Sequence, residues 1–86
     1  MYYYVYVLQS EKDHQFYVGF TKNIQRRLIE HNKGKNKSTK CGIPWKLIYK
    51  EKHKDRISAR KREKFLKSYS GVKEKREIIK NYFGIV

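Results

Sequence analysis

Eighty-six residues suffice for one small domain and leave room for only a modest core. Lys and Arg number 22 against 8 Asp and Glu, a formal charge of +14 that exceeds what solubility requires and destabilises the compact state by self-repulsion. Such a balance points to a nucleic-acid partner and away from a membrane, since no apolar run approaches the roughly 20 residues of a spanning helix.

The N-terminus shows no charged region leading into an apolar stretch. Cys41 stands alone, so no intrachain disulfide forms and a reducing interior suits the chain; the expected address is the cytoplasm. Cys41, His14, His31 and His53 lack paired-ligand spacing, which argues against zinc.

The stretch YYYVYVLQ (2–9) is aromatic and β-branched and predicts a strand, with Tyr2, Tyr4, Tyr6 and Leu8 on one face and Tyr3, Val5 and Val7 on the other. A polar connector, SEKDHQ (10–15), leads into the returning strand FYVGF (16–20). There Phe16, Val18 and Phe20 share one face, and Tyr17 and Gly19 the other. A turn centred on the connector sets Tyr6 opposite Gly19 and diagonal to Tyr17, two phenols about 7–8 Å apart with open space at the glycine. Strand propensity alone also accounts for tyrosines here.

A helix opens near Thr21 or Asn23, either of which can cap it, and stops before Gly34. Ile24, Arg27, Leu28 and His31 fall at i, i+3, i+4 and i+7, a single stripe that is ordinarily apolar. Its two basic members either snorkel past a core to solvent or line a cleft that receives an anion. Arginine's planar fork and histidine's proton chemistry near neutrality suit the second role.

The segment NKGKNKSTKCGIP (32–44) is a small, polar, basic loop. WKLIYKEK (45–52) predicts a third strand with Trp45, Leu47 and Tyr49 inward. Asp55 caps a second helix running to about Tyr69, Gly71 breaks it, and VKEKREIIKNYF (72–83) predicts a third. In the second helix Ala59, Leu66 and Tyr69 point roughly one way, and periodicity does not explain Arg62 near the middle of that stripe. Glu63 is the only acid among six Lys and Arg in RISARKREKFLK (56–67), and composition assigns it to an exposed pair with Lys67. The order ββαβαα, with a first connection too short for a crossover, predicts an α+β class: one domain over residues 1–86 with a three-stranded, mainly antiparallel sheet flanked by helices.

YVYVLQS followed by FYVGFTKNIQRRLIEHN resembles the paired signature of the GIY-YIG nuclease domain family. Tyr4-Val5-Tyr6 matches the first element, Tyr17-Val18-Gly19 the second, and the helix supplies Arg27 and His31. STKCGIPWKLIYKE and DRISARKREKFLKSYSG resemble the rest of its small stand-alone branch, so the likeness covers roughly residues 2 to 75. Two positions depart from the pattern: Tyr4 stands where the name-giving glycine would be, and Asn81 comes late for the C-terminal asparagine of many active members.

The resemblance implies a divalent-metal-dependent, endonuclease-like phosphodiesterase acting on DNA in preference to RNA, selecting by structure and not by sequence. Carried over residue by residue, Tyr6, Tyr17, Arg27, His31 and Glu63 form the catalytic set, with Glu63 holding a single Mg²⁺ or Mn²⁺. Either Tyr17 or His31 takes the proton of the attacking water. The alternative is a nucleic-acid-binding module of the same fold whose catalysis is weak or lost, its tyrosines stacking on unpaired bases. In so short a chain, targeting falls to substrate shape or to a protein partner.

Overall fold

The structure is a computed structural model and describes residues 2–82. Strands β1 (Tyr3–Ser10), β2 (Phe16–Thr21) and β3 (Trp45–His53) form one sheet in the order β2-β1-β3, antiparallel throughout. Helix α1 (Ile24–Asn32) follows β2, and α2 (Arg56–Lys67) and α3 (Val72–Tyr82) follow β3, which is the expected ββαβαα order. Phe83, the last residue of the predicted third helix, lies outside the described residues.

Both faces of the central strand are covered, so β1 carries large side chains at both parities. Val5 and Val7 join Val18, Ile48, Ala59 and Leu66 in a core beneath α2, with Ile78 and Ile79 of α3 packed against it. Tyr6, Leu8 and Trp45 form a second core on the other face, closed by Ile24 and Leu28 of α1. The β1–β2 register sets Tyr6 against Gly19, as a centred turn requires.

Strand β3 departs from simple alternation. Val7 pairs with Tyr49 and Leu8 with Leu47, which leaves Ile48 as an extra residue on β3. Such a bulge reverses the facing of everything beyond it. Trp45 and Leu47 therefore face α1, while Ile48 and Tyr49 join the opposite core, against the expectation that Trp45, Leu47 and Tyr49 share one side.

Side-chain caps set the helix starts: Asn23 Oδ1 accepts from Arg26 N at 3.0 Å, and Asp55 Oδ1 from Ser58 N at 2.8 Å. Helix α2 ends at Lys67, short of Tyr69, because Ser68 turns extended. The Ser68 hydroxyl donates to the Phe65 carbonyl at 2.6 Å and accepts from Gly71 N at 3.2 Å. A Cβ on Gly71 would run into that same Phe65 carbonyl, so the turn needs glycine. Leu66 stays in the core, but Tyr69 is 96% exposed and leaves the stripe to which its spacing assigned it.

Arg62 finds its explanation in partners from two other elements. Its guanidinium meets Glu51 of β3 (Nε to Oε2, 2.9 Å) and Glu74 of α3. Glu51 also accepts from the Tyr49 hydroxyl at 2.7 Å and lies 2.6 Å from His53 Nε2. Burial pushes the Glu51 carboxyl up, but the bonds from Tyr49, His53 and Arg62 outweigh it and hold the pKa below the usual range. Arg62 thus ties α2 to the sheet and to α3 through charge-assisted bonds.

Candidate active site

Tyr6, Tyr17, Arg27 and His31 converge on the α1 face of the sheet. Tyr6 rises from the central strand and is 2% exposed. Its ring lies across Gly19, where a Cβ would stand 2.5 Å from the phenol oxygen. The space at the glycine is thus filled by Tyr6 itself and is not open. Gly19→Ala is expected to push the ring off its partners and lower the unfolding free energy by about 1–3 kcal/mol, measured by urea denaturation.

The Tyr6 hydroxyl lies 3.0 Å from His31 Nε2, and the Arg27 charge is near enough to oppose the effect of burial on the phenol. On the far side of the ring, His31 Nδ1 lies 2.7 Å from the Thr39 hydroxyl, which in turn donates to the Asn36 carbonyl at 3.4 Å. Thr39 gives its own proton to the Asn36 carbonyl and so accepts from Nδ1, which leaves Nε2 to accept the Tyr6 phenol proton. His31 Nδ1–H then donates to Thr39, and every donor in the chain has an acceptor.

His31 is fully buried with both nitrogens engaged. The imidazole lies in the core, and the network satisfies its polarity. Burial, with the Arg27 charge adding to it, lowers its pKa to about 4, so the ring is neutral at pH 7. Burial likewise raises the Tyr6 phenol to about 12, with the neighbouring Tyr17 pushing the same way and Arg27 opposing, so Tyr6 keeps its proton. Arg27 is only partly buried and also bonds Glu30 at 3.0 Å, on the outer side of α1.

Tyr17 stands half-buried at the edge of this cluster. Its ring meets His31 edge-on with centroids 5.1 Å apart, and lies 6.4 Å from Tyr6 and 6.3 Å from Trp45. Trp45 is anchored twice: its indole Nε1 donates to the Thr39 carbonyl at 2.7 Å, and its backbone exchanges two bonds with the Asn32 side chain. Thr39, Asn32 and Trp45 therefore lock the loop around His31; strand alternation set Trp45 inward, whereas no periodic signal marked Thr39.

Glu63 comes to the same corner from α2. Its charge raises the Tyr6 pKa. Lys67 Nζ sits 2.7 Å from Glu63 Oε2 and 5.2 Å from the Tyr17 ring centroid. The i, i+4 pair read from composition is thus formed, and it is formed beside the tyrosines. Asn81 is exposed on α3, which packs against β3 and α2.

A resident metal can be judged by the donors. Among the described residues no three of His, Cys, Asp and Glu come together. One carboxylate completed by waters is an ordinary protein contribution to Mg²⁺. The Glu63 side chain, 15% exposed, already holds a cation, the Lys67 ammonium, next to Tyr17. The set fits a hard divalent ion on a single carboxylate and does not fit zinc.

The fold is that of a small nuclease-type domain. The chain belongs to the GIY-YIG family: the model of the GIY-YIG catalytic domain matches residues 2–76. Among its relatives, the UPF0213 protein SSP2268 of Staphylococcus saprophyticus is 38% identical over 83% of this chain and 87% of its own. The UPF0213 protein NP_0776A of Natronomonas pharaonis is 39% identical over 85% and 86%. The solution NMR structure of the UPF0213 protein BH0048 from Bacillus halodurans superposes with a TM-score of 0.56 at 30% identity, covering 91% of this chain and 83% of that one. No helix among the described residues is long and apolar enough to cross a membrane.

Proposed function

We propose that the chain is a divalent-metal-dependent nuclease that hydrolyses phosphodiester bonds, in DNA rather than RNA, choosing its substrate by shape and not by sequence. The observation that carries this reading is the buried Tyr6 hydroxyl bonded to His31 and packed beside Tyr17, with the Arg27 and Glu63 charges both acting on it. A partly exposed arginine presented by a neutral, pre-organised network is suited to a phosphate.

Arg27 stabilises the charge that develops on the non-bridging oxygens in the transition state. Tyr6 stays protonated and orients Arg27. His31 is a positioning residue: it receives the Tyr6 proton's hydrogen bond and passes the constraint to Thr39. With both imidazole nitrogens engaged, Tyr17 is the group that orients the attacking water, and in its phenolate form it takes the water's proton and becomes the neutral phenol. Glu63 holds the metal ion, which when bound supplies Lewis-acid stabilisation of the leaving oxygen. The lysines of NKGKNKSTK grip the backbone without reading bases. The reading takes residues 1–86 as one domain, working in the cytoplasm with targeting left to substrate shape or a protein partner.

One observation favours weak catalysis in a binding module: a metal at Glu63 has to displace the Lys67 ammonium. Cleavage of a panel of duplex, single-stranded and branched DNA and RNA, in Mg²⁺, Mn²⁺ or EDTA, separates the two readings. The nuclease cuts only with metal, and Glu63→Ala loses cutting while still binding. Binding without cutting in any metal, unchanged by Glu63→Ala, would sink the enzyme in favour of the module.

A further inference from the structure

Round the edge of the sheet from Tyr17 lies a second surface with its own chemistry. A broad groove of about 1080 Å³ runs between the start of β2 and α3, lined among others by Phe16, Tyr69, Lys73, Arg76, Glu77 and Lys80. Its aromatic side is preformed. The Ser68–Gly71 turn, closed at both ends by the Ser68 hydroxyl, holds Tyr69 out at 96% exposure, and Phe16 is 36% exposed. Tyr69 is withheld from a core its spacing would have let it join.

The cationic side is ordered as well. Lys73, Arg76 and Lys80 fall at i, i+3 and i+7 and share one face of α3. No ion pair neutralises these three among the described residues, whereas the Arg62 and Lys67 nearby are both paired. Glu77 is the single acid in the lining.

Position links the groove to the candidate active site. Strand β2 is an edge of the sheet, and Phe16 precedes Tyr17 on it, so their side chains point to opposite faces of that edge. Tyr69 lies just beyond Lys67, whose ammonium faces the Tyr17 ring. The groove therefore begins where the active-site corner ends.

Exposed aromatic faces beside a row of unpaired cations match unpaired bases on a phosphate backbone, because every base offers a face for stacking. A duplex keeps its bases inside the stack and cannot use Tyr69 this way. An enclosed small-molecule pocket would be more apolar and less charged. We infer that this groove binds single-stranded nucleic acid, with Tyr69 and Phe16 stacking on bases and Lys73, Arg76 and Lys80 following the phosphates. A strand leaving the active site turns round the β2 edge into it, which makes a single-stranded branch or flap the preferred substrate. This last step deepens the nuclease reading and rests on it; the binding does not.

The test uses the full chain in EDTA, with fluorescence anisotropy of labelled single-stranded DNA, single-stranded RNA and a blunt duplex of the same sequence. Tyr69→Ala is expected to weaken single-strand binding about tenfold and duplex binding about twofold or less, and Tyr69→Trp to restore it. Lys73→Ala with Arg76→Ala is expected to flatten the salt dependence of single-strand binding by roughly 0.7 per phosphate contact removed. The two single-strand arms show whether DNA or RNA is the natural occupant. Equal loss on duplex and single strand, no loss on either, or competition by a polyglutamate peptide as strong as by the single strand, would overturn the proposal. Tyr69 is exposed, so an unchanged melting temperature keeps these outcomes clear of misfolding. Because EDTA removes cleavage from the measurement, failure of the nuclease reading and failure of the groove are told apart.

Discussion

Arg27→Ala is expected to lower the single-turnover cleavage rate by roughly 10²–10³-fold while binding to the substrate weakens far less. The reason is geometric. Arg27 is a cation whose charge acts on the buried Tyr6 phenol and which remains partly open to solvent, so it can meet a phosphate beside Tyr6. Its bond to Glu30 is a surface pair and contributes little. The Tyr6 hydroxyl keeps its bond to His31 in the variant, so the loss of stability is expected to stay within about 1–2 kcal/mol. That loss is small enough for the variant to fold, so rate and stability can be measured separately. Arg27→Lys keeps the charge but loses the planar fork, and an intermediate rate is expected. A rate for Arg27→Ala close to wild type would remove Arg27 from the mechanism.

Acid is expected to destabilise the fold well before the carboxylates titrate. The His31 pKa falls from an ordinary 6.5 to about 4 in the folded chain, chiefly through burial and then through Arg27. The unfolded chain therefore binds the proton first, and stability is full above pH 6.5 and is lost as the pH falls towards 4. Across that window the slope is about 1.4 kcal/mol per pH unit, a total of about 3 kcal/mol. Glu51, whose carboxyl is held below its ordinary value, adds its loss only at lower pH. Urea unfolding at pH 7, 6, 5 and 4.5 checks this directly. His31→Gln is less stable at pH 7, but its stability should be nearly flat between pH 6.5 and 4.5. A wild-type profile as flat as that of the variant would mean that the imidazole is not buried as a neutral group.

Much of the fold was legible in the residue order, because the signals involved are local. Alternation, turn composition and caps are properties of a few adjacent residues, so the strands, the Asp55 start, a first-helix start at Thr21 or Asn23 and the Tyr6–Gly19 register followed from them. The bulge at Ile48 was not legible, since it satisfies two cores on opposite faces at once and neither is visible along a strand. Tyr69 misled for a related reason: helical spacing assigns it inward only while the helix lasts, and Ser68 and Gly71 end the helix by bonds back to Phe65.

The candidate site divides in the same way. The chain order of Tyr6, Tyr17, Arg27, His31 and Glu63 carries the family likeness, and sequence alone determined that this chain is a basic, ββαβαα member of the GIY-YIG family. Only the tertiary structure decided what surrounds each of those residues. Thr39 comes from a loop with no period, so its place in the network around the buried His31 had no sequence signal. Arg62 found Glu51 and Glu74, and Lys67 found its place over Tyr17, through elements brought together by packing across the sheet. The physical reason is range: propensity and capping act over a few residues, whereas burial, pKa and ion pairing are set by whatever the closed fold places alongside.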